Sequence, residues 1–191
     1  YIVKIKSNKI SKKFFDLDLD KKTLVIIGGS LGSECINNLI KSELEYIKSF
    51  GLQIIWQCGS LYYNKLKSLS SKKVIIKPFI NHIDHLYSAA DYIISRAGAG
   101  SISELSCVAK PSLLIPSPNV SENHQLHNAR VLAKKKAILL IQEKDLDKKF
   151  KAIFSQLVMD KKIQKEMIKN LKSFALPDAT KNIIKEIKDI L

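Results

Sequence analysis

The stretch Ser95-Arg96-Ala97-Gly98-Ala99-Gly100-Ser101-Ile102-Ser103-Glu104 holds residue types suited to gripping a phosphate. It follows the apolar run Tyr92 to Ile94 and continues into Leu105 to Ala109, so a strand, a glycine turn and a helix start lie in one line. Glycine lets the backbone approach a ligand closely, and the N–H groups of a helix's first turn sit at the positive end of its dipole. Ser101 and Glu104 also have the spacing of a capping box, so spacing alone leaves two readings open: a phosphate cradle, and a turn before a capped helix. A second glycine turn, Gly28-Gly29-Ser30-Leu31-Gly32, directly follows Thr23-Leu24-Val25-Ile26-Ile27. It lacks the GxGxxG spacing of dinucleotide sites and the Lys-Ser/Thr of a P-loop, which counts against nicotinamide cofactors and ATP.

Other reactive side chains are scattered. Asp16-Leu17-Asp18-Leu19-Asp20 offers a carboxylate at every second position, but Lys21 and Ile27 stand where a calcium loop needs glycine and glutamate, so a solvated turn is the expectation. His82 and His85, and again His124 and His127, are three apart with no third ligand in view, and no metal site is expected from either pair. Cys35, Cys58 and Cys107 form no CxxC pair, which fits a reducing cytoplasm. No nucleophile or pair of carboxylates suggests a hydrolase with a covalent intermediate. The polar loop Pro116 to Gln125, with two prolines, leads into a helix near Asn128-Ala129-Arg130 and reads as a ligand contact.

Positioning these turns calls for a sheet. Thr23–Ile27, Gln53–Gln57, Val74–Ile76, Tyr92–Ile94, Ser112–Ile115 and Ala137–Ile141 read as six strands, and helical stretches separate them. The pattern predicts an α/β fold, a Rossmann-like parallel six-stranded sheet flanked by helices. Right-handed crossovers then bring the glycine turns to the carboxyl edge, where ligands of such folds bind. Apolar positions Ile36, Leu39, Ile40, Leu44, Ile47 and Phe50 predict one helix ending at Gly51, and Asn81 is placed to cap the helix after the third strand. Lysine-rich amphipathic helices follow Ile141, the last beginning at Pro177-Asp178 with Ile183, Ile187, Ile190 and Leu191 on one face. The domain reading is 1–20 as an interdomain linker or remnant of an absent N-terminal domain, including the basic run Tyr1 to Lys13 with Lys4, Lys6, Lys9, Lys12 and Lys13. Residues 21–176 form the ligand-binding domain, and 177–191 a helix packing back on it.

The 191 residues, 46% hydrophobic, suffice for a proper core. The chain opens on Tyr1 without signal-peptide order, which reads as a fragment, and no apolar run is long enough to cross a bilayer. All but two of the 32 basic residues are lysine, against 18 acids, for a net charge of +14. Readers of nucleic acid lean on arginine and exposed aromatics, and at 7% aromatic this chain is not expected to bind one. Contact with an anionic membrane surface stays open.

Four motifs occur here in the order found in the MurG family: Gly28-Gly29-Ser30-x-Gly32, Arg96-Ala97-Gly98-Ala99 running to Ser103-Glu104, Ile115-Pro116 through His124-Gln125 to Asn128-Ala129, and Pro177-Asp178-Ala179-Thr180. From Lys21 onward the chain resembles the C-terminal, donor-binding half of these two-domain GT-B glycosyltransferases, which transfer N-acetylglucosamine from UDP-GlcNAc to lipid I to form lipid II in peptidoglycan synthesis. The resemblance implies an inverting transferase on the inner face of the bacterial plasma membrane, peripheral and cytoplasmic, with UDP-GlcNAc as donor substrate and no tightly bound cofactor or metal. Lipid I would be met by the N-terminal half, which in the family carries the general base, so no catalytic residue is expected here and the fragment alone would be inactive.

The resemblance assigns Ser30, with Gly29, to the donor diphosphate, and Ile80, with Phe79, to the uracil. Ala99, Gly100 and Ser101, with Gly98, go to the diphosphate, Glu104 to the ribose hydroxyls, and Gln125, with His124 and Asn128, to the GlcNAc hydroxyls. Family members often have glutamine where His124 stands. The alternatives are another UDP-sugar GT-B protein, such as a glycolipid synthase or a UDP-GlcNAc epimerase, and a basic membrane-surface module without transfer activity.

Overall fold

The computed structural model describes residues 6–119 and 121–190, so Lys4 and Leu191 lie outside the described residues. Six strands among them form one parallel sheet in the order β3-β2-β1-β4-β5-β6. They are β1 (Thr23–Ile27), β2 (Gln53–Gln57), β3 (Val74–Lys77), β4 (Tyr92–Ser95), β5 (Ser112–Leu114) and β6 (Leu139–Leu140). The predicted α/β class and six-stranded parallel sheet are thus observed. β1 and β2 are buried along their whole length because helices cover both faces, which is why they read as near-continuous apolar runs. Side chains alternate: Leu24 and Ile26 join one core, Val25 and Ile27 the other.

The first core takes its helical partners from α2 (Glu34–Ser42), α3 (Leu44–Ser49), α4 (Ser60–Leu66) and α8 (Leu146–Met159). Phe150 and Phe154 stack there with ring centroids 5.4 Å apart. The second is built with α5 (Ile83–Ala89), α6 (Ala99–Val108) and α7 (His124–Lys134), and α9 (Lys161–Lys172) reaches both through Met167 and Leu171. After β3 the chain crosses to the far side of β1, so the strand order reverses between β1 and β4. Ile27 lies opposite both Gln57 and Ser95, and the turns after β1, β2 and β4 therefore leave the carboxyl edge side by side at this switch point.

Five expectations need correction. The single helix predicted from Ile36 to Phe50 breaks at Glu43, where the Ser42 hydroxyl and the Glu43 amide both bond the Leu39 carbonyl and end the first segment. The last strand shrinks to two residues, because Lys136 takes a left-handed turn (φ 53°) and only β5 pairs with it. Asn81 does not cap α5; His82 holds that position and its side chain makes no cap bond.

The segment 1–20 is more than a linker. Its helix α1 (Asn8–Phe14) packs on α5, where the Asn8 amide bonds the Ser88 and Ala89 carbonyls and Phe14 stacks on His85 at 4.1 Å. Lys12 is buried, bonding the Leu19 and Lys21 carbonyls and facing Asp91 at 3.6 Å. Finally, α10 (Ala179–Ile190) forms where predicted but buries no residue, so it does not pack back on the domain; its isoleucine face stays in solvent. No described helix is long and apolar enough to cross a membrane.

Candidate functional site

The β1 turn is shaped by glycines that no other residue could replace. Gly32 (φ +82°) and Gly59 (φ +87°) pass backbone against backbone, so a Cβ on Gly32 would strike the Cys58 carbonyl and one on Gly59 the Leu31 carbonyl. Packed this way, the turn pushes Ser30 and Leu31 outward, and both are exposed. Gly29 (φ +94°) has open space where a side chain would go. Ser33 then caps α2, its hydroxyl accepting the Ile36 amide at 3.3 Å.

At the β4 turn the capped-helix reading fails. α6 starts at Ala99 with Gly98 as the residue before it, and no side chain caps it, so Ser101 and Glu104 do not form a capping box. Ala99, Gly100 and Ser101 occupy the first turn, and the place of a Gly100 side chain is open for 4 Å. The first-turn amides are therefore left for water or a ligand.

Glu104 points back instead to α5: Tyr87 donates its hydroxyl to Glu104 Oε2 at 2.7 Å. Burial, and then the Glu104 charge, push the Tyr87 phenol well above its ordinary value, so it stays a donor.

Three side chains join the turns. Gln57 donates to the Gly29 carbonyl at 3.1 Å and accepts the Ile80 amide at 2.9 Å, which ties the first turn to the loop after β3. The Ile80 amide is thus engaged; its side chain is buried while Phe79 is exposed. Arg96 bonds Ser33 Oγ at 2.6 Å and the Ile115 carbonyl at 3.1 Å, and pairs with Glu143 at 2.6 Å. Its charge is matched, so it acts as a strut between loops of four strands. Gln125 accepts through Oε1 from the Ala97 amide at 3.4 Å and the Ser117 amide at 3.0 Å, leaving its amide nitrogen for other partners.

A cleft of about 670 Å³ lies between these loops, lined by Gly28, Gly32, Ser33, Arg96, Ser117, Asn119, Gln125 and Glu143 among others. It brings the first glycine turn and Gln125 together. Ser30, Gly29, Gly98, Ala99, Gly100, Ser101, Glu104, Phe79 and Ile80 are not part of its lining; Ser30 and Gly29 sit in the same turn as its Gly28, Leu31 and Gly32, and the Ala97 amide on Gln125 links the start of α6 to it. His124 is exposed at the start of α7, and Asn128 lies one turn on, half-buried. The two residues before His124, Glu122 and Asn123, are both left-handed (φ 52° and 53°).

Cys35, also at the cleft, is pushed up to about 11 by burial and by Glu143, so it is a thiol and no nucleophile at neutral pH. Among the described residues no three His, Cys, Asp or Glu side chains gather to hold a metal. Asp18 is held below its ordinary value chiefly by its bond to Lys21 at 3.0 Å, the solvated turn expected.

Gln57, Tyr87 and Ser33 stand out in no sequence motif. Gln57 left a signal, an amide closing the apolar run Ile54 to Trp56 at its carboxyl end. Tyr87 left none, because its partner is 17 residues away on another helix.

Residues 23–183 match the model of the glycosyltransferase family 28 C-terminal domain. The UDP-N-acetylglucosamine--N-acetylmuramyl-(pentapeptide) pyrophosphoryl-undecaprenol N-acetylglucosamine transferase of Flavobacterium psychrophilum is 49% identical over 175 residues, which cover 91% of this chain and 48% of that protein. The crystal structure of Acinetobacter baumannii MurG superposes with a TM-score of 0.77 at 25% identity, over 98% of this chain and 54% of the other. A UDP-GlcNAc 2-epimerase from Neisseria meningitidis, bound to UDP-GlcNAc, shares the fold alone, with a TM-score of 0.64 at 17% identity over 95% of this chain and 48% of the other. The chain spans about half the length of the relatives it matches. On the sheet, its two glycine turns and this match over most of its length, the chain belongs to glycosyltransferase family 28, as its C-terminal domain.

Proposed function

We propose that this chain is the donor-binding half of an inverting N-acetylglucosaminyltransferase that takes UDP-GlcNAc and passes the sugar to lipid I, giving lipid II for peptidoglycan. The observation that carries the reading is the uncapped first turn of α6 beside the open β1 turn, at the switch point of the sheet. Ser30 and the amides of Ala99, Gly100 and Ser101 hold the diphosphate, with Gly29 and Gly98 giving room for its approach. The Ile80 carbonyl and the exposed Phe79 ring meet the uracil. Glu104 accepts from the ribose hydroxyls. Gln125 donates its amide to a GlcNAc hydroxyl, with His124 and Asn128 beside it.

In the transfer an acceptor hydroxyl oxygen bonds the anomeric carbon as the bond from that carbon to the diphosphate breaks, and the proton goes to a base outside this chain. Negative charge then grows on departing UDP. Fixed amides at a helix start stabilise that charge without reorganising, so these turns contribute to catalysis by electrostatics. The 49% identity to a UDP-N-acetylglucosamine-dependent transferase supports the choice of nucleotide sugar and favours transfer over epimerisation.

Lipid I is met by the other half of the protein, and the lysine excess, at net charge +14, supports a peripheral seat on the anionic inner face of the plasma membrane. Calorimetry on this chain tests the donor assignment: saturable heat is expected with UDP-GlcNAc and with UDP, and less with nucleotides carrying another base. No heat with either at millimolar concentration overturns it. Binding to anionic vesicles or DNA that UDP-GlcNAc leaves unchanged, with no donor binding, favours the basic surface module instead.

A further inference from the structure

We infer that Tyr87 is a positioning residue for the donor site: its hydroxyl locks the Glu104 carboxylate so that one oxygen is committed and the other is presented to the nucleotide ribose. The inference rests on the proposed contact between Glu104 and the ribose. Tyr87 is 1% exposed, on a helix other than the one that carries Glu104, and its O–H···O distance of 2.7 Å is that of a charge-assisted bond.

A half-exposed glutamate otherwise samples many rotamers, and fixing such a side chain on binding costs conformational entropy. Tyr87 fixes it before the ligand arrives. Burial keeps the phenol protonated, so the lock holds over the whole physiological pH range.

The base of the lock is itself anchored. α5 bears Tyr87 and is held from outside by α1, through Asn8 on the Ser88 and Ala89 carbonyls and Phe14 on His85. Tyr87 therefore has little freedom to follow Glu104 if the carboxylate moves, and the hydrogen bond restrains Glu104 rather than the reverse.

Tyr87→Phe removes the hydroxyl and keeps the buried ring. Dissociation constants are measured by calorimetry for UDP-GlcNAc and for an analogue lacking both ribose hydroxyls, on the unsubstituted chain, Tyr87→Phe, Glu104→Ala and the double variant. Tyr87→Phe is expected to weaken UDP-GlcNAc about 3- to 30-fold, the span of one hydrogen bond. It should leave the analogue unchanged and add nothing in the Glu104→Ala background. Glu104→Asp, a methylene too short to reach Tyr87 and ribose together, should repeat the loss if Tyr87→Phe is poorly folded. Equal weakening of both ligands, full additivity with Glu104→Ala, or an unchanged affinity overturns the lock. An unsubstituted chain that binds UDP-GlcNAc and its analogue equally well removes the ribose contact itself, and one that binds neither removes the donor site.

Discussion

Glycine has opposite duties in the two turns, and single substitutions separate them. At Gly32 a methyl group meets the Cys58 carbonyl and φ is +82°, so Gly32→Ala should destabilise the fold by about 3 kcal/mol or more and lower the thermal midpoint by roughly 6–12 °C. At Gly100 the space is open and the backbone is helical, so Gly100→Ala should leave the midpoint unchanged or raise stability by up to ~1 kcal/mol. Thermal unfolding followed by circular dichroism checks both. Glu104→Ala should weaken UDP-GlcNAc by about 1–3 kcal/mol, read by calorimetry, because a charged hydrogen bond is left unmet. The types of these residues were legible: glycines after an apolar run, and an acid five positions into the following helix. Their partners were not. The spacing of Ser101 and Glu104 fits a capping box only if the helix starts later than it does, and Tyr87 claims the carboxylate through a contact that local spacing cannot encode.

The elements follow from short-range pattern wherever burial is two-sided, as in β1 and β2, and depart from it wherever a side chain competes with the backbone. Ser42 ends α2 early, and α1 hides inside a basic segment that reads as a linker because its lysines mask a packed face. That helix is secured by a histidine with a defined proton. Lys6 Nζ lies 2.7 Å from His85 Nε2, which must accept, so Nδ1 carries the hydrogen and donates to Ser11 Oγ at 3.2 Å. Lys6 also pairs with Asp84 at 2.8 Å, and the Phe14 and His82 rings flank the imidazole. Burial first, and then the Lys6 charge, hold His85 below its ordinary 6.5. Between that lowered value and 6.5 the unfolded chain binds the extra proton, so stability is fully present above 6.5 and falls as the pH drops through this window. A pH series of unfolding midpoints should show this decline, and His85→Gln should flatten it. Asp84, held below its ordinary 3.8 by Lys6, acts only in more acid solution and leaves the window clean.

At the scale of the whole molecule, the strand order made the site: the reversal between β1 and β4 sets two glycine turns side by side, and Arg96 on Ser33 then fixes their distance. The parallel sheet was legible from alternating runs, but the order of its strands was not, since pairing across the switch point is non-local. The final helix marks the other limit. Its apolar periodicity predicted a packed face, yet α10 buries nothing, so removing residues 179–190 should leave the unfolding midpoint of the rest unchanged in the same thermal scan. In the proposed site, backbone amides of the turns after β1 and β4 hold the donor diphosphate. Amide-resolved NMR during a UDP-GlcNAc titration tests it most directly. Shifts concentrated at Gly29, Ser30, Ala99, Gly100 and Ser101, saturating together, are the predicted result; saturable shifts that spare these five amides would contradict it.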